Sequence, residues 1–123
     1  MNIHTTNYFN TFIEVAEDCP VTVAEVPPAK EEKTIAGLQF EMMHDYPYTH
    51  TSDDILFAVY AERQGIPKKD HKAEREKFFS KGQPCMRSSA LPKRYGWGVH
   101  SNEEGKLALI AVEGAKYKKL ASD

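Results

Sequence analysis

Two periods of polarity run through the chain. From Tyr8 to Val15 the period is two: Phe9, Thr11, Ile13 and Val15 share one face and Tyr8, Asn10, Phe12 and Glu14 the other. That alternation predicts a first strand, closed by the turn-forming cluster Glu17-Asp-Cys-Pro20. Adjacent prolines at 27–28 and the charge run Lys-Glu-Glu-Lys at 30–33 predict an irregular connection. Thr34 then caps a helix whose apolar positions, Ile35, Leu38 and Met42 with Phe40 and Met43 beside them, recur at helical spacing. The helix should stop near Asp45-Tyr-Pro47, because the residue before a proline disfavours helical angles.

Residues 55–62 read as a second strand with both faces apolar, Ile55, Phe57, Val59 and Ala61 on one and Leu56, Ala58 and Tyr60 on the other, as a central strand has. Asp70 is placed to cap a charged helix over 71–80, and Gly82 to stop it. Ser88 or Ser89 caps a short helix over 90–94, where Pro92 falls in a first turn. Strands at 95–100 and 106–113 flank a five-residue hairpin loop ending in Gly105. A helix over 115–120 closes the chain with Lys116, Lys118 and Lys119 facing water. The expected fold is a single α+β domain spanning residues 1–123, in two layers. A mainly antiparallel four-stranded sheet carries helices on one face, and the chain ends in a β-hairpin and a C-terminal helix.

Composition narrows the setting. A chain of 123 residues is long enough to bury a sizeable core, and a formal net charge of -2 gives no reason to expect nucleic acid or an anionic membrane as partner. No window approaches the roughly 18 apolar residues that cross a bilayer. The opening residues have neither a positive nor an apolar leader region. Cys19 and Cys85 form no Cys-x-x-Cys pair and no disulfide framework, so free thiols in a reducing cytoplasm are the default.

Candidate chemistry gathers between Gln83 and His100. Arg87, Lys93 and Arg94 form a basic cluster able to hold a phosphate or carboxylate, and Tyr95 and Trp97, alternating on one strand face, can wall such a site. His100 completes this candidate ligand-binding set, with Tyr46, Tyr48 and His50 of the aromatic loop as further members. Gly96 and Gly98 leave the other strand face bare, so another backbone, a large side chain or a ligand must approach there; Phe78 or Phe79 would serve. Cys85 and His100 are the weak catalytic candidates, a thiolate nucleophile with an imidazole base, Arg87 or Lys93 favouring the thiolate. No catalytic signature or glycine-rich phosphate loop supports an enzyme, and His44, His50, His71 and His100 are scattered, so no metal and no cofactor is expected.

Three blocks carry a family resemblance: NTFIEVAEDCPV at 10–21, TSDDILF at 51–57 and KRYGWGVH at 93–100. Together they resemble the signature of a family of small bacterial proteins classified only as a domain of unknown function. The resemblance covers nearly the whole chain. It implies a stand-alone cytoplasmic domain and brings no activity and no catalytic residues with it. The favoured function is therefore binding of a small anionic ligand or a partner protein through the basic and aromatic patch. The alternatives are a Cys85-dependent enzyme and single-stranded nucleic-acid binding across 87–97, which the acidic balance disfavours. A homodimer through the sheet or the 95–112 hairpin is compatible with each.

Overall fold

The computed structural model describes residues 4–28 and 34–122, and the charge run at 30–33 lies outside them. Among the described residues there are five α-helices and one open antiparallel sheet of three strands, ordered β1 (Thr11–Ile13), β2 (Trp97–Ser101), β3 (Leu107–Ala111). The predicted hairpin is present: β2 pairs β3 in the register Trp97↔Ala111, Val99↔Leu109, Ser101↔Leu107. Its turn is fixed by the Asn102 side chain, which accepts from the backbone of Glu104 and Lys106, and by Gly105 at φ +78°. β1 is shorter than the 8–15 alternation predicts. Asn10 is left-handed at φ +50°, and beyond Ile13 the chain turns to bond Pro92 through the Ala16 amide.

The expected strand over 55–62 is instead the core of α2 (Ser52–Gln64), so the sheet has three strands and not four. Interleaved burial explains the misreading. Ile55 and Val59, four apart, enter the main core, while Phe57 and Ala61, also four apart, enter a second cluster with Phe79. Two helical stripes offset by two residues mimic a strand's alternation. Local signals at the ends support the helix. Thr51 and Asp54 form a reciprocal capping box, and Gly65 at φ +65° takes the left-handed exit, with Ile66 N–H returning to Ala61 O at 3.0 Å.

The remaining helices follow the pattern. α1 (Ile35–Phe40) is capped by Thr34, whose Oγ1 accepts from Gly37 N at 3.0 Å, and runs into a π-helical turn over Glu41–Asp45. α3 (His71–Phe79) starts after a 3-10 turn at Lys68–Asp70; Asp70 makes no side-chain cap because its own backbone is already helical. α4 (Ala90–Arg94) is capped by Ser89, and α5 (Ala115–Ala121) closes the chain. Ile13, Trp97, Val99 and Leu107 look into the main core with residues of α1, α2 and α4. The opposite face of the sheet, at Gly98, is covered by Phe12 of β1 and Tyr117 of α5, so helices lie on both faces and not on one.

Candidate functional site

The approach predicted at the two hairpin glycines is real, but its partners differ. A Cβ on Gly98 would meet the Phe12 ring at 2.7 Å and the Tyr117 ring at 2.9 Å. A Cβ on Gly96 would meet Val21 at 3.0 Å and the Ala24 backbone at 3.2 Å. Phe78 and Phe79 instead join the second apolar cluster beneath α2.

Trp97 and His100 are an odd number of positions apart, and the strand sends them to opposite faces. The indole is buried; its Nε1 donates to Glu25 O at 2.8 Å and its ring stands edge-on to Phe40 and His44. Tyr95 is half-buried against the same core. Arg87, Lys93 and Arg94 are exposed, and among the described residues none of them joins an ion pair.

On the other face His100 meets the aromatic loop. Tyr48 Oη lies 2.8 Å from His100 Nδ1, and Lys116 Nζ donates to Tyr48 Oη at 3.2 Å. Partial burial, and then the Lys116 ammonium, push the His100 imidazole below its ordinary 6.5. Tyr46 is exposed and stacks edge-on with His50 at 6.2 Å. Lys116 was legible only as a solvent-facing lysine, because nothing local in the sequence places α5 beside residues 46–50.

Cys85 stands elsewhere. It is a half-buried free thiol lining an open groove of about 490 Å³ between α1, α2 and the segment 83–90. Apolar surface dominates, from Ile35 and Ala36 of α1, Leu56, Val59 and Tyr60 of α2, Phe78 of α3, and Pro84 and Ala90. None of Arg87, Lys93, Arg94, Tyr95, Trp97 and His100 is among its described lining residues, although Arg87 lies between two that are, Cys85 and Ser88. Arg63 is the one charged group among the described lining residues.

The groove contains a polar pair that the sequence did not reveal. Gln39, only 4% exposed, accepts the Ser89 hydroxyl proton on Oε1 at 2.6 Å. The Ser89 oxygen itself accepts from Leu91 N at 3.2 Å, which leaves its proton for Gln39 and fixes the amide's orientation. Gln39 Nε2 therefore has no hydrogen-bond acceptor among the described residues, and Gln39 lines the groove. A glutamine inside the apolar stripe of α1 is the one sequence signal that would have pointed to it.

Among the described residues no group of three or more His, Cys, Asp or Glu side chains is placed to hold a metal ion, and no helix is long and apolar enough to cross a membrane. No curated protein and no solved structure matches the chain. The model of a family of unknown function, DUF6157, matches residues 3–123, and the chain belongs to that family.

Proposed function

We propose that this protein binds a small amphipathic anion, with the apolar body of the ligand in the α1–α2 groove and an oxygen of its head on Gln39 Nε2. The carrying observation is that nearly buried amide, whose Nε2 has no acceptor among the described residues, in the wall of a mainly apolar hollow. A hollow of about 490 Å³ falls within the range of small-molecule sites, whose few polar groups set orientation. An unpaired N–H there favours a ligand with an acceptor over a plain hydrocarbon. The sign of the head follows from charge. No carboxylate lines the groove among the described residues, and exposed Arg87 adjoins Ser88, which lines it. Of the basic residues recognised in the sequence, Arg87 thus serves at the margin of the groove.

Octanoate and octanol, titrated separately, test this reading. Amide NMR shifts of Leu56, Val59, Cys85 and Ala90 report occupancy, and slowed alkylation of Cys85 reports it independently. Octanoate should bind more tightly than octanol, and Arg87→Gln should narrow the gap. No perturbation by either compound would discard the groove; equal binding of both would discard the anionic head.

A further inference from the structure

A second polar constellation stands on the opposite side of the sheet and is independent of the groove. Tyr48, His100 and Lys116 are brought together across 52 and 68 residues of chain, from the loop before α2, from β2 and from α5. Chemistry fixes one of their two hydrogen-bond directions. An ammonium only donates, so Lys116 gives a proton to Tyr48 Oη at 3.2 Å. The phenol's own proton is then free to go to His100 Nδ1 at 2.8 Å, the arrangement that puts the proton of a neutral imidazole on Nε2. That N–H has no acceptor among the described residues, and Lys116 pairs with no carboxylate there.

The phenol is held in place at a cost. Tyr48 is left-handed at φ +55°, an unfavourable setting for a residue with a side chain, and it is pinned by its amide bond to Leu107 O at 2.9 Å. The Lys116 ammonium also lies 5.3 Å from the centre of the Tyr48 ring. One phenol oxygen therefore holds a cation and an imidazole ring, with no negative charge paired to either among the described residues. The Phe12 ring of β1 lies 6.4 Å from the His100 ring and Ala108 of β3 is its cross-strand partner, neither of them charged. We propose that Lys116 Nζ and His100 Nε2–H bind a small oxyanion, a carboxylate or a phosphate, with Tyr48 as the positioning residue that holds the ammonium and the imidazole ring in place.

His100 supplies the readout. Its ring protons are followed by NMR through a pH titration in sodium phosphate, in sodium acetate and in sodium chloride at matched ionic strength. An anion bound beside the ring favours the imidazolium, so a saturable rise of the His100 titration midpoint by about half a unit or more is expected over chloride. A response to phosphate alone identifies a phosphate site, and a response to acetate as well shows that a carboxylate suffices. Lys116→Gln, an exposed substitution, should raise the midpoint in chloride and abolish the saturable response. Identical behaviour of His100 in all three salts would overturn the proposal, as would a Lys116→Gln protein that responds like the wild type. Octanoate in the groove shifts amides of α1 and α2, so the two readings fail separately.

Discussion

Replacing Gly98 with alanine should destabilise the protein, although alanine is ordinarily the better residue in a strand by roughly 0.5–1 kcal/mol. The new methyl carbon would lie 2.7 Å from two ring carbons of Phe12 and 2.9 Å from one of Tyr117. Comfortable carbon contacts begin at about 3.5 Å, so the overlap is near 1 Å against two rings at once. Neither ring has an easy retreat. They already pack edge to face at 5.0 Å, and the Tyr117 hydroxyl accepts the Val15 amide proton at 2.8 Å. Overpacking of this kind costs about 1–3 kcal/mol. For a chain of this length that is a Tm lowered by roughly 4–12 °C. Gly82→Ala is the internal control. A methyl there meets nothing within 4 Å and its backbone is not left-handed, so that variant should be neutral or slightly stabilised.

A double-mutant cycle sharpens the test. Phe12→Leu removes the two ring carbons that Gly98→Ala would strike. In that background the alanine should cost less, with a coupling of about 1 kcal/mol or more, read by urea denaturation with unchanged m. Tyr117 sits next to Lys116 on α5, so the same strain should loosen the Lys116 bond to Tyr48 and let His100 titrate closer to its ordinary value. Strict additivity in the cycle, or a Gly98→Ala protein as stable as the wild type, would refute the claim that these rings are seated on the glycine.

Four further outcomes are expected. Thr51→Ala removes half of the α2 capping box and should cost about 1 kcal/mol by chemical denaturation. Asp53→Asn leaves the Thr5 hydroxyl and the Thr6 amide and hydroxyl without their shared carboxylate, so it should cost about 1.5–3 kcal/mol and speed hydrogen exchange at Thr6. Stability should fall as pH drops below 6.5, because the unfolded chain takes up the His100 proton before the folded one does; Lys116→Gln should flatten that slope. Asp54 acts in a lower window. Partial burial alone would raise its carboxyl, but bonds from Arg75 and Thr51 outweigh burial and hold it below 3.8. Its contribution is therefore present above 3.8 and lost as pH falls beneath it, a loss that Arg75→Gln should shrink.

What the sequence revealed was local. The hairpin and the Thr34 and Ser89 caps are set by a few neighbouring residues and are found where the pattern places them. The bare face at Gly98 was also legible, because two missing side chains require something nearby. What covers it was not, since Phe12 and Tyr117 arrive from distant parts of the chain. The α2 error arose because burial on two sides erased the single stripe by which a helix is recognised. The Thr51/Asp54 pair and Gly65 were the better guide there, since caps and exits are chemical and not periodic. The residues of the candidate site suggest one cluster because they are near in sequence. Strand alternation separates Trp97 from His100, and the turn at 86–88 carries Cys85 into a helical groove.

Sequence proximity is therefore a poor guide to shared chemistry in this fold, and a thin sheet is the reason. In a three-stranded sheet each central residue serves one face only, and here the two faces have different neighbours. Trp97 and Val99 are committed to the core behind α1, α2 and α4, with the indole N–H already bonded to Glu25 O. Gly98 and His100 look the other way, toward α5 and the aromatic loop. Polar chemistry on the first face is displaced outward, to where Gln39 and Ser89 meet beyond the sheet. On the second face it stays on the strand, because Gly98 lets α5 close enough for Lys116 to reach Tyr48. Substitutions at Gln39 and at Lys116 should accordingly be independent in both binding and stability, as expected for residues that share no neighbour.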